Sequence, residues 1–160
     1  MEILTRSLLI ILAASLVIGA HAAQETAKDE IHVSVPEEMQ WKDIPSLPPG
    51  AKMAVLHGDP TKPGPFTMRL RFPENYQVPP HTHPADENVT IISGRFYIGH
   101  GERFDKSAVR EIPEGGYISM PANMTHFAYV DDDTEVQLHG QGPWAIKYVN
   151  PADDPRQKIE

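Results

Sequence analysis

The sequence predicts an all-β fold, a sandwich or barrel of antiparallel strands, on three observations. Its 16 prolines and 11 glycines punctuate short apolar runs at intervals of about 8 to 12 residues, the spacing of turns in sandwiches and barrels. Most of the runs alternate apolar with polar residues, as a strand with one buried face requires. No long segment carries a 3.6-residue period that would argue for a helix instead.

The N-terminal end stands apart from this pattern. Residues 1–22 read as an export signal, with Arg6 ahead of an apolar run from Leu8 to Ile18 and small residues at Ala20 and Ala22. The run is about 11 residues where a membrane span needs roughly 20, which favours a cleaved signal over a retained anchor. The mature chain is then expected to begin at Ala23, in the periplasm or outside the cell, without stable membrane insertion. Residues 23–38 are polar and read as a flexible lead-in, 39–152 as one β domain, and 153–160 as a charged tail. The formal charge is -8, and an acidic chain without a basic patch disfavours nucleic acid and anionic membranes as partners. A small-molecule or protein partner is expected. An exported chain with no cysteine must be held by a hydrophobic core or a metal, not by disulfides.

In order, the strand candidates begin with 51–57 and 66–72. In the second, Phe66, Met68, Leu70 and Phe72 share one face while Thr67, Arg69 and Arg71 share the other. They continue with 78–83, 88–93 (Val89 and Ile91 of one parity), 95–99, 108–112, 117–120 and 126–130. The strand 134–139 points either Val136 and Leu138 or Gln137 and His139 inward; the apolar pair is the cheaper to bury. The last, 144–149, repeats the alternation through Trp144, Ile146 and Tyr148. The links are turn material: Thr61-Lys62-Pro63-Gly64-Pro65, Pro113-Glu114-Gly115-Gly116 and Asp131-Asp132-Asp133.

Chemistry concentrates in PPHTHPADENVTIISG, residues 79–94. On a strand His81 and His83 project to one side, close enough to hold one ion. Glu87 shares the parity of Val89 and Ile91, so it faces the core if they do. Two imidazoles and a carboxylate directed into an apolar interior are costly unless paired or bound to a cation, and a metal supplies that compensation. Asp86 reads as a solvated turn residue, and His57 and His100 as loop residues. Asn88-Val89-Thr90 and Asn123-Met124-Thr125 match the glycosylation acceptor pattern, which matters only in a eukaryotic secretory host.

The pattern His-x-His-x3-Glu-x6-Gly, met by His81, His83, Glu87 and Gly94, resembles the first motif of the cupins. In GGYISMPANMTHFAYV, Gly115, Pro121 and His126 stand at the spacing of the second. Three positions depart from the motifs: Asn75 and Asn123 replace glycines, and Val130 replaces an asparagine. Asparagine tolerates the left-handed backbone that a glycine at 123 suggests. The resemblance implies a jelly-roll barrel, a double-stranded β-helix of two facing antiparallel sheets. It also implies a ligand set of His81, His83, Glu87 and His126 for one divalent transition metal.

Three nitrogens and one oxygen suit manganese, iron, nickel, copper or zinc and are too nitrogen-rich for calcium or magnesium. A filled tetrahedral zinc site is the structural alternative to an open, reactive one. Met68, Leu70, Tyr76 and Val78, with Phe72, are candidates for a mostly apolar pocket. On this resemblance the chain is expected to be a metal-dependent oxidoreductase of dioxygenase type, with Glu87 as candidate base. The alternatives are a non-catalytic sensor or binding protein for a metal and a small ligand, or, more weakly, a metal-independent isomerase. Pairing into a homodimer through edge strands is a further expectation from the resemblance alone.

Overall fold

The computed structural model describes residues 31–157. The expected export signal at 1–22, residues 23–30 of the expected lead-in and residues 158–160 of the tail lie outside the described residues. The strands are β1 Lys42–Asp43, β2 Lys52–His57, β3 Gly64–Phe72, β4 Gln77–Thr82, β5 Glu87–Ser93, β6 Arg95–His100, β7 Val109–Pro113, β8 Tyr117–Met120, β9 His126–Tyr129, β10 Thr134–Gly142 and β11 Lys147–Tyr148. They form a six-stranded sheet in the order β1-β2-β3-β10-β5-β8 and a five-stranded sheet in the order β11-β4-β9-β6-β7. All pairings are antiparallel. From β3 onward the chain changes sheet at almost every link, which wraps the two sheets face to face as a jelly roll.

The strand alternation decides what lies between the sheets. Met68, Leu70 and Phe72 of β3 pair with Leu138, Val136 and Thr134 of β10. Val136 and Leu138 pair in turn with Ile91 and Val89 of β5. All these apolar side chains are buried in one core that both sheets share. The apolar register of β10 is thus the one adopted, with Gln137 and His139 on the outer face. Fully buried side chains such as Phe66, Ile91 and Val136 each contribute about 1.5 to 3 kcal/mol of hydrophobic stabilisation. On the wet face of β3, Arg69 and Arg71 donate to the two carboxylate oxygens of Glu135.

The five-stranded sheet carries a second apolar layer outside the barrel. Phe127 points away from the core and is fully buried, because its β6 partner is Gly99. A Cβ at Gly99 would stand 2.1 Å from the Phe127 ring, so only glycine admits the ring there.

Two elements differ from the sequence expectation. The pair β1 is too short to leave an alternation pattern, and 144–149 contracts to β11 because Trp144, Ala145 and Ile146 leave the ladder for other contacts described below. The glycine positions of the two motifs share one conformation: Gly94 and Gly115 have φ of 80° and 77°, and Asn75 and Asn123 have 61° and 62°. Both asparagines therefore occupy the left-handed region that glycine would fill without strain.

Candidate metal centre

The site forms where β4 passes into β5. His81 lies on β4, His83 just past its end, Glu87 opens β5 and His126 opens β9. His81 and His126 are direct cross-strand partners.

A bulge aims His81. Between the pairs Val78–Ala128 and His81–His126 the β4 strand spends one residue more than β9. Three positions apart on a regular strand, Val78 and His81 would face opposite sides of the sheet; the bulge absorbs the odd residue, so both face inward. The residues in the bulge are Pro79 and Pro80. Neither has an N–H to give to a ladder, so the irregularity sacrifices no donor.

Each imidazole is oriented by a backbone carbonyl. The Nδ1–H of His81 donates to Pro79 O (2.7 Å), that of His83 to Ala145 O (2.8 Å) and that of His126 to Met124 O (2.9 Å). A carbonyl only accepts, so Nδ1 carries a proton on each ring, and a neutral ring so held offers its Nε2 lone pair. Glu87 Oε2 stands 3.1 Å from His126 Nε2 and 3.4 Å from His83 Nε2. One ligand atom from each of the three imidazoles can be chosen so that all lie within 4.8 Å of one another. Donor atoms bonded at about 2.1 Å to a common ion lie about 3.0 to 4.2 Å apart; the two carboxylate distances fall in that range, and the imidazole nitrogens need only a small inward adjustment to reach it.

The four residues are 4 to 8% exposed. Burial, reinforced by the neighbouring imidazoles, holds the His81 ring well below its usual pKa, and burial likewise depresses His83. Both are neutral at physiological pH, the state in which imidazole ligates. Three inward lone pairs beside a carboxylate repel one another unless a cation lies among them. The arrangement therefore fits a transition ion, and the spent Nδ1 positions are the outer support that metal-binding histidines receive.

Residues 29–145 match the ChrR Cupin-like domain. The chain belongs to that cupin family. Solved structures show the same fold: the polyketide cyclase RemF from Streptomyces resistomycificus (12% identity, TM-score 0.64, covering 80% of this chain and 92% of that one); a candidate acetylacetone dioxygenase from Methylibium petroleiphilum (19%, 0.60, 81% and 88%); and salicylate 1,2-dioxygenase from Pseudoaminobacter salicylatoxidans (10%, 0.52, 64% and 30%). No curated protein matches the sequence.

In this cupin the histidines open onto a cavity of about 310 Å³ between the sheets. Met68, Leu70, Phe72 and Val78 are on its wall. Tyr76, though buried, is not: its hydroxyl donates to Pro48 O instead.

Three contributions were not anticipated from the sequence. Trp144 stacks on His83 with ring centroids 4.2 Å apart and planes 14° apart, and the next residue, Ala145, supplies the carbonyl that orients the same imidazole. The dipeptide Gly142-Pro143, a breaker ahead of Trp144, was the available signal that the strand alternation stops there. Arg156 also reaches the cavity wall, from a segment that composition marks only as charged. Asp86 braces the site from outside, since its Oδ1 accepts from Ala122 N–H while Asn123 N–H donates to His83 O. The turns of the two motifs are thus bonded to each other.

Proposed function

We propose that this chain holds one divalent transition-metal ion through His81, His83, Glu87 and His126 and uses it in an oxygen-dependent oxidation of a small molecule. The observation that carries the first part is the tautomer pattern: three buried rings, each with Nδ1 spent on a backbone carbonyl and Nε2 free. When bound, such an ion supplies a Lewis-acid or redox centre with one or two positions left for an oxygen-bearing molecule.

The chain's own residues do the rest. The apolar wall excludes water and orients the body of the molecule. Trp144 and Ala145 fix the plane of His83. Among the described residues Glu87 is the one carboxylate on the wall, and it stands where it could take a proton from a bound molecule. The dioxygenase activities of the structural neighbours belong to those proteins and support the oxidation step by likeness of fold alone.

A second reading is favoured by that same carboxylate. With Glu87 committed to the ion, no free acid or base remains on the wall, as expected of a binding or sensor protein. Read as an export signal, residues 1–22 support a periplasmic or extracellular location for either form, and N-terminal sequencing of native material should then begin at Ala23.

Metal analysis of protein purified from its own host, before any chelating column, is expected to find about one equivalent of a transition ion. H81A and H126A should lose it. Ion content unchanged in both variants would end the ligand assignment. Oxygen uptake by the loaded chain with diketones, flavonols or thiols separates oxidation from simple binding.

A further inference from the structure

We propose that the cavity selects an uncharged, apolar molecule whose only strongly polar atoms are the oxygens it presents to the histidine cluster. The Asp154–Arg156 pair sets this selectivity by keeping the one cation on the wall neutralised. The donor end of the ligand rests on the metal reading above; the charge of its body does not.

The ionisable groups on the wall are His81, His83, Glu87, His126 and Arg156. Apart from the hydroxyls of Ser46 and Thr61 and the indole N–H of Trp144, the rest of the lining is apolar or backbone. Among the described residues Arg156 is therefore the only basic side chain on the wall, outside the imidazoles, that an anionic ligand could use.

It is already occupied. Its Nε donates to Asp154 Oδ1 and its Nη2 to Asp154 Oδ2, both at 2.7 Å. The second Nη2 proton goes to Ile146 O at 3.1 Å, and the Arg156 backbone N–H also donates to Asp154 Oδ1. The Nε/Nη2 edge is the one that grips a carboxylate in two parallel bonds, and Asp154 fills it. The Asp154 side chain is 13% exposed and that of Arg156 44%, so packing holds the carboxylate and the carboxylate holds the guanidinium. A carboxylate on the body of the ligand, away from the ion, would lose water and find no free cation on the wall beside it. A neutral body loses nothing comparable. The two protons on Nη1 remain for a neutral carbonyl or hydroxyl oxygen.

The test is calorimetric titration of the full chain, with the metal it carries as purified, against 1-phenylpropane-1,2-dione and its 4-carboxylate. Both probes present the same two oxygens to the metal, so that contribution is common and only the far end differs. The dione is expected to bind at least roughly tenfold tighter. In Asp154→Asn the guanidinium edge is uncompensated, and the preference should shrink or reverse. Equal affinity for both probes in the parent chain would overturn the proposal, as would an unchanged ratio in a folded D154N. The parent comparison needs no variant. Because turnover is not read, the selectivity can fail while the oxidation stands, and the oxidation can fail while the selectivity stands.

Discussion

Asn123 shows what one backbone angle does for this site. At φ 62° it directs its N–H onto His83 O, and so joins the turn that carries two histidines to the turn that precedes the third. A residue with a β-carbon and no local hydrogen bonding should resist this conformation at a cost of about 1 to 2 kcal/mol. Asn123→Ala is expected to lower the unfolding free energy by that amount, seen as a lower urea midpoint with the denaturant slope unchanged, while Asn123→Gly should stay within a few tenths of a kcal/mol of the parent. The sequence made this position legible, because asparagine standing for a motif glycine suggests the left-handed conformation. The role of Asp86 was not legible: an acidic residue in a turn looks solvated until its partner, Ala122 N–H, is brought from 36 residues away.

At the scale of elements, most strands could be read from alternation, since β3, β5 and β10 keep strict inward and outward parity. The bulge at Pro79 and Pro80 could not, because it is a difference in count between two paired strands and the partner is not adjacent in sequence. The segment 44–48 escaped for a similar reason. Ile44 to Leu47 close one side of the cavity, and the segment is latched by two phenols: Tyr148 donates to Ser46 O and Tyr76 to Pro48 O. Burial holds both phenols above their ordinary pKa. The folded chain therefore keeps them protonated where the unfolded chain already ionises, near pH 10. Above that pH the unfolded state binds fewer protons, so stability is full below pH 10 and falls as the pH rises through it. Urea midpoints between pH 9 and 11 should decline in the parent and decline less in Tyr148→Phe, by up to roughly 1.4 kcal/mol per pH unit for each phenol removed.

Across the whole molecule, the cation links folding to occupancy. The four ligands come from β4, the turn after it, β5 and β9, so a bound ion ties both sheets together. Binding only to the folded chain stabilises it by about 2.7 kcal/mol at a free metal concentration of 100 times Kd. Chelation should accordingly lower the melting temperature by several degrees, and re-addition of metal should restore it; a melting curve indifferent to both would mean that the site is empty in use. The fold class and the family motifs could be read from the chain, whereas the cavity's far wall required the tertiary structure, since Trp144 and Arg156 lie in no motif.

Trp144 has one more consequence. The chain contains two indoles, and the other, Trp41, lies under the Arg71 guanidinium at 3.9 Å, away from the cavity wall. With Trp41→Phe the remaining emitter rests face to face with His83, so its brightness becomes an optical gauge of what that imidazole holds: dark beside an open-shell ion such as copper or nickel, and lit beside closed-shell zinc.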